Sequence, residues 1–200
     1  MKNLHFFSGT LIAFVFAIVP FQLLAQDTIS EELRVKEWID GQTITVFDHP
    51  IKRVFGETYD KNSIRNYHIP VTNIGYKDLS QLQEEVKQTS KTENWSEEKY
   101  KTELLNLDSL APGGRLYVYI ERKVNDRTKL NYFFVVFRDA DDQEFYRSGA
   151  ESREPEFGDF GFWSNYFTLD IPVEVDYPFF VYVNDRQSSN LSDFKFEVFK

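Results

Sequence analysis

The chain has 200 residues and a formal net charge of −9 at pH 7, and 42% of its residues are hydrophobic and 17% aromatic. This length and apolar content suit one globular domain with a buried core, and the 20 Phe and 11 Tyr residues favour strands, on which flat rings pack well. The acidic balance argues against nucleic acid and anionic lipid surfaces as partners. Because cysteine is absent, a disulfide framework, a thiolate zinc site and a lipid anchor on cysteine are excluded.

The first 25 residues have the pattern of a secretory signal peptide. Lys2 supplies a positive charge, residues 11–19 form an uninterrupted apolar run, and Ala25 precedes polar residues. The apolar run is shorter than the roughly 20 residues that a spanning helix needs, so a retained membrane anchor is the less favoured interpretation. We predict cleavage after Ala25, no membrane span after cleavage, and export to the periplasm or the cell exterior. A Gram-negative bacterium is the natural setting for a cysteine-free exported chain.

Residues 26–200 are predicted to form a single all-β domain. Strands separated by turn signals indicate a two-layer β-sandwich of jelly-roll or immunoglobulin-like topology. At its start, residues 33–39 and 42–47 are predicted to form a hairpin, since Asp40-Gly41 supplies the positive φ angles of a type I′ turn. His49-Pro50 is then predicted to break regular pairing, which leaves residues 51–55 as an edge strand.

Residues 78–107 are predicted to form a helical hairpin inserted between two β-rich parts. Apolar residues recur at helical spacing from Leu79 to Val86, and Ser80 with Gln83 is predicted to form a capping box. Ser96, followed by two glutamates that suit the positive first turn, is predicted to be the N-cap of the second helix.

Residues 115–138 are predicted to form two adjacent strands of a buried sheet. Alternate residues from Leu116 to Ile120 are aliphatic, so one face of the first strand must be buried. After a polar turn at residues 125–128, residues 132–137 are apolar on both faces, as in a central strand between two layers. Turn signals separate the remaining predicted strands, at residues 143–148, 166–171, 178–183 and 193–198.

Two histidines follow the predicted leader, His49 and His68, and each lies within two residues of a proline. Their spacing matches neither the i, i+4 pairing of a helical metal site nor the i, i+2 pairing of a strand. We interpret both as structural residues near turns.

Four carboxylates within six residues offer the oxygen ligands that calcium requires. They are Asp139, Asp141, Asp142 and Glu144. The order of an EF-hand is missing and no glycine makes its sharp turn, so the favoured interpretation is a solvated hairpin tip whose acids discourage edge aggregation. Calcium is the alternative, and no other metal or cofactor is predicted.

A stretch rich in aromatic residues and glycine supplies the candidate ligand contacts. They are Phe157, Asp159, Phe160, Phe162 and Trp163. Rings held in a loop on a β-scaffold are a form in which sugar- or peptide-binding modules present a flat apolar surface, and nearby carboxylates bind hydroxyls. The alternative is that the rings fold back as a hydrophobic plug over the end of the domain.

No motif for a nucleophile, a phosphate loop or a cofactor is present in the sequence. We therefore predict a secreted or envelope module that is not an enzyme and that binds a protein or a glycan. The alternative is a hydrolase of polysaccharide or peptidoglycan that uses two carboxylates, for which Asp159 with Glu154 or with Asp170 is the kind of pair required.

Overall fold

A computed structural model describes residues 29–34, 36, 38–56, 71–158, 161–186 and 194–200. These residues are mostly β, in two antiparallel sheets, and helices are few, which agrees with the predicted all-β class. The predicted signal peptide at residues 1–25 lies outside the described residues, as do His68, Asp159 and Phe160.

The described residues form ten strands and three α-helices. The strands are β1 (Thr43–Val46), β2 (His49–Phe55), β3 (Val71–Lys77), β4 (Arg115–Arg122), β5 (Phe133–Arg138), β6 (Glu144–Gly149), β7 (Glu156–Phe157), β8 (Trp163–Asp170), β9 (Phe179–Asp185) and β10 (Phe194–Val198). The helices are α1 (residues 29–34), α2 (Leu79–Thr92) and α3 (Glu97–Leu110), and short 3₁₀ helices span Asn125–Thr128 and Leu130–Tyr132.

Sheet A has the strand order β1-β2-β10-β9-β5-β6, and sheet B has the order β3-β4-β8-β7. Side chains of both sheets belong to one hydrophobic cluster, in which Val118 of β4 and Phe179 of β9 are fully buried. Burying one such apolar side chain stabilises the fold by about 1.5–3 kcal/mol relative to leaving it in water. The predicted inward faces are confirmed for β4, whose alternate residues from Leu116 to Ile120 are fully buried, and for β10.

The predicted pairing of the two strands within residues 115–138 is wrong. β4 lies in sheet B between β3 and β8, whereas β5 lies in sheet A between β9 and β6. The two 3₁₀ helices carry the chain from one sheet to the other. Alternation of apolar residues determines which face of a strand is buried, but it does not determine which strand lies beside it.

The predicted hairpin around Asp40-Gly41 is also wrong. The hairpin instead joins β1 to β2 through Phe47 and Asp48, whose φ angles are 51° and 67°. The described residues of this segment, which are 33, 34, 36, 38 and 39, lie in no strand: Leu33 belongs to α1 and is fully buried, and the Asn73 side chain donates to its carbonyl at 2.6 Å. A contact with β3 thus overrides the local strand pattern.

β2 is not the predicted edge strand, because β1 and β10 pair with its two sides. Pro50 lies within it. The Pro50 carbonyl accepts the Phe199 N–H at 2.9 Å, just beyond the last residue of β10. In an antiparallel strand the N–H and C=O groups of one residue point to the same side, so the N–H that Pro50 lacks would also point towards β10. The pairing of β2 with β10 ends at this position, so the missing N–H costs the sheet little.

The helix caps agree with the sequence in one case and differ in the other. Ser96 is the N-cap of α3, as predicted, and its side chain accepts the Lys99 N–H. α2 is capped by Asp78 in a capping box with Gln81, two residues before the predicted box. The two helices pack against each other through a small cluster of Leu82, Leu107 and Ala111.

Candidate functional site

The aromatic candidates lie at the hairpin that joins β7 to β8. Phe157 is paired in register with Trp163, and their ring centroids are 4.9 Å apart at an interplanar angle of 56°. The Gly158 N–H donates to the Phe162 carbonyl at 2.8 Å, and Gly161 adopts a φ of +77°, a conformation that favours glycine. We call Phe157, Phe162 and Trp163 the ring tip.

The ring tip is accessible to solvent. Phe157 is 64% exposed, and the side chains of Phe162 and Trp163 are half-buried. Phe157 and Trp163 do not belong to the hydrophobic core shared by the two sheets. The plug interpretation is therefore disfavoured for Phe157, whose ring is open to a partner.

The aromatic rings on the outer face of sheet A differ from the ring tip because cations cover them. Lys195 lies over Phe180 with its Nζ 4.1 Å from the ring centroid, and Arg186 lies 5.0 Å from the centroid of Phe134. Within the described part of the chain, no Lys or Arg lies over Phe157 in this way. Phe157 therefore needs no such cation displaced before a ligand can bind.

A small cavity lies next to the ring tip, on the face of sheet B that points away from sheet A. Its volume is about 40 Å³. It is lined by Ser30, Tyr119, Arg153, Glu156, Ser164, Asn165 and Tyr166.

Strand register explains why these side chains meet. Tyr119 of β4 lies opposite Tyr166 of β8, and Ser164 lies opposite Glu156 of β7. Directly opposite residues point to the same face, so all four side chains share the outer face of sheet B. Arg153 donates to Glu156 at 2.6 Å, which adds a charged pair to this aromatic and hydroxyl lining.

Tyr166 is the most unusual residue of the cavity. It is only 7% exposed, and its hydroxyl is buried without a hydrogen-bond partner among the described residues. Burial raises the pKa of Tyr166 far above its ordinary value, so the hydroxyl keeps its proton and remains a donor. A buried hydroxyl without a partner destabilises a fold by about 1–3 kcal/mol, so any group that reaches this donor gains a hydrogen bond.

An open groove of about 490 Å³ lies beside the cavity. It is lined by Leu130, Glu151, Ser152, Arg153, Tyr166, Phe167 and Thr168. Arg153 and Tyr166 line both spaces. The Asn165 amide donates to the carbonyls of Arg153 and Thr128 at 3.0 and 3.1 Å, and this fixes the far wall of the groove relative to β8.

The acidic stretch forms the turn between β5 and β6. The Asp139 carboxylate accepts the N–H groups of Asp141 and Gln143 at 3.0 and 2.8 Å. Asp142 takes the sharp conformation that glycine often supplies, with a φ of 62°. Asp139 therefore has a structural role as the acceptor that closes the turn.

The remaining carboxylates of this turn have other partners. Asp142 accepts hydrogen bonds from Arg138 and from the Tyr182 hydroxyl, and Glu144 forms a bidentate pair with Arg147 at 2.9 and 2.7 Å. In the part of the chain that the structure describes, no three His, Cys, Asp or Glu side chains are grouped to hold a metal ion. These contacts favour the hairpin-tip interpretation over calcium.

Both carboxylate pairs considered for a hydrolase contain Asp159, so neither pair lies wholly within the described residues. Asp170 forms a bidentate pair with Arg115 at 2.5 and 3.2 Å, Glu154 is exposed, and Asp159 is outside the described residues. We therefore assign no catalytic residue.

His49 has structural contacts. It is 5% exposed; its Nδ1 lies 3.2 Å from the Phe199 carbonyl and its Nε2 lies 3.0 Å from Gln81 Oε1. Its ring stacks on Tyr177 with centroids 5.9 Å apart. His49 thus connects β2 to the C-terminal residues and to α2. These contacts agree with its interpretation as a structural residue.

Tyr166 and Arg153 are not among the residues predicted from the sequence as ligand contacts. The available signal is that β4 and β8 both carry tyrosine on the face opposite their aliphatic residues. No family model, curated protein or solved structure matches the chain. None of the helices within the described residues is long and apolar enough to cross a membrane.

Proposed function

We propose that this chain is a non-enzymatic binding module that contacts a protein or a glycan through the ring tip. Phe157, Phe162 and Trp163 supply the apolar surface, and Asp159 and Phe160 lie between them in the chain. The scaffold is a two-layer β-sandwich of jelly-roll or immunoglobulin-like topology with a helical hairpin inserted at residues 78–107. The module is exported, after cleavage of residues 1–25, to the periplasm or the cell exterior.

The observation that carries this proposal is the exposure of Phe157 beside Trp163. An apolar ring that is 64% exposed gains free energy when a partner removes it from water, at about 25 cal/mol per Å² of apolar surface. The residue types that dominate binding energies at interfaces include Trp and Tyr, which combine a large apolar area with few rotatable bonds. The hydrogen bonds at the β7–β8 turn hold the rings in place, so little side-chain conformational freedom has to be lost on binding.

The test is a screen of the purified protein on glycan and peptide arrays, followed by titration of the strongest ligand. Phe157→Ala and Trp163→Ala should each weaken that ligand at least tenfold, which corresponds to about 1.4 kcal/mol. The melting temperature of Phe157→Ala should stay within about 3 °C of the wild type, because little of this side chain is buried.

Phe55→Ala is the matched control, since Phe55 is also an exposed phenylalanine, at 42%, but lies in β2 of sheet A. It should leave the affinity unchanged. Equal affinities for the wild type and Phe157→Ala would exclude the ring tip as the contact surface. If Trp163→Ala unfolds the protein, Phe157→Ala still decides the question, because its exposed ring can be removed from the folded state.

A further inference from the structure

The edge of β8 beyond β7 has no neighbouring strand in the described residues. β4 pairs with β8 along its whole length, from Trp163 to Asp170. β7 has only two residues and pairs with Trp163 and Ser164 alone. Among the residues that the structure describes, no strand therefore pairs with the outer edge of β8 from Tyr166 to Asp170, next to the groove described above.

The direction of the backbone groups on this edge follows from two hydrogen bonds. The Ile171 N–H donates to the Gly114 carbonyl, on the side of β4, whereas the Tyr166 N–H donates to the side chain of Asn165. In an antiparallel ladder, alternate residues direct their N–H and C=O groups to the same side. Thr168 therefore directs both of its backbone groups away from β4 and towards the groove.

The groove adds a second set of polar groups to this edge. The Tyr166 hydroxyl is a buried donor without a described partner, and Arg153 lines the same groove. Leu130 and Phe167 are the aliphatic and phenyl residues of the lining. The volume, about 490 Å³, lies within the range of about 300–1,000 Å³ that is typical of ligand sites.

We propose that this edge binds an extended peptide segment of a partner protein, which adds to sheet B as a strand along Tyr166–Asp170. A strand edge offers a donor and an acceptor from the same residue, and the backbone of a peptide complements this pattern whatever its side chains are. When the peptide enters, the groove opens enough for the Tyr166 hydroxyl, which is buried in the free protein, to donate to one carbonyl of the peptide. This edge site gives the proposed binding module its partner class and rests on that proposed function.

The occupant is a partner peptide and not a second copy of this chain. Charged side chains surround the edge: Glu151 and Arg153 on the far wall of the groove, and Asp170 with Arg115 at the end of β8. Charges beside an open strand oppose the pairing of identical edges. These charged side chains do not block a short peptide, because a peptide brings no second folded domain with the same charges to the edge.

The experiment uses the full chain and an array of capped octapeptides with alternating Val and Thr, varied at two central positions. The strongest peptide is then resynthesised with an N-methyl group on one amide at a time. Methylation should weaken binding at every second position only, because just one edge of the added strand donates to β8. Tyr166→Phe should weaken binding about three- to tenfold, the value of one hydrogen bond, and leave the melting temperature unchanged or higher.

Tyr182→Phe is the matched control, because it removes a hydroxyl that contacts Asp142 on sheet A. It should leave peptide affinity unchanged. The proposal is overturned if no octapeptide binds, if methylation has no period of two, if Tyr166→Phe binds as the wild type does, or if the protein instead dimerises through this edge. Glycan binding that is lost in Phe157→Ala, together with no peptide binding, would leave the ring tip as the binding surface and exclude the edge site.

Discussion

Two groups of aromatic residues in this protein have almost the same ring spacing and opposite surroundings. The buried ring cluster consists of His49, Tyr76, Tyr177 and Phe179, and the Tyr76 and Phe179 centroids are 5.2 Å apart. In the ring tip the corresponding distance is 4.9 Å. Phe179 is fully buried, whereas Phe157 is 64% exposed. Ring spacing therefore does not distinguish a structural contact from a binding surface. Burial does, and so does whether the rings come from both sheets or from neighbouring strands of one sheet.

The difference in burial follows from which strands carry the rings. The buried ring cluster joins β3 of sheet B to β2 and β9 of sheet A, so its contacts exist only when the two sheets pack. The ring tip joins two neighbouring strands of one sheet, β7 and β8, and its contact is local. Removing a ring from the first group should unfold the protein more readily, and removing one from the second should change only its surface.

The largest expected effect is that of Phe179→Ala. Loss of a fully buried phenylalanine removes transfer free energy and leaves a cavity, so the free energy of unfolding should fall by about 3–5 kcal/mol. Phe157→Ala should lower it by less than about 1 kcal/mol. Urea unfolding at pH 7 measures both values. A similar loss for the two variants would contradict the distinction between the two groups.

A smaller effect is expected for Tyr76→Phe, which keeps the ring and removes only its hydroxyl. This hydroxyl donates to the Gly113 carbonyl at 2.8 Å and accepts from the Tyr177 hydroxyl at 3.2 Å. Its loss leaves a buried carbonyl without this donor, so the free energy of unfolding should fall by about 1–2 kcal/mol. Tyr182→Phe, on the outer face of sheet A, should stay within about 0.5 kcal/mol of the wild type. Equal values for the two variants would mean that the Tyr76 hydroxyl has no structural role.

The sequence predicted those features of the fold that depend on the period of a single strand. Phe194, Phe196 and Val198 point inward because side chains alternate along any strand, whichever partners it has. The N-cap at Ser96 was predictable for a similar reason, since a cap acts within one turn of its own helix.

Features that depend on distant residues could not be predicted in this way. β4 and β5 follow each other in sequence but lie in different sheets, and the carbonyls of Leu33 and Lys36, in the segment predicted as a strand, instead accept hydrogen bonds from the Asn73 side chain of β3. The sequence indicated the ring tip as a candidate ligand contact, because aromatic residues and glycine are concentrated in that stretch. The role of Tyr166 depends on β7 ending after two residues, and no local pattern in the sequence indicates that end.

The smallest expected effect concerns Asp78, at the polar border of the buried ring cluster. Its carboxylate caps α2 and lies 3.6 Å from His49 Nε2. Asp78→Ala should lower the free energy of unfolding by about 1 kcal/mol at pH 7, because the Gln81 N–H loses its acceptor. Asp78→Asn is the matched control, since asparagine is an equally good N-cap without the charge, and it should lose less.

Acid should remove this contribution, with a sign that follows from the pKa of Asp78. Burial alone would raise that pKa, but the hydrogen bonds from Gln81 and Ser80 and the nearby His49 outweigh burial, so the pKa lies below its usual value. The stabilisation is complete above the ordinary carboxyl pKa of about 3.9 and is lost as pH falls through the lower folded value. The difference in unfolding free energy between the wild type and Asp78→Asn should therefore shrink below about pH 4, whereas that for Phe157→Ala, which changes no titrating group, should stay constant. A wild-type advantage over Asp78→Asn that persists unchanged to pH 2 would show that the Asp78 charge contributes nothing, and that the ring cluster is as insensitive to acid as the ring tip.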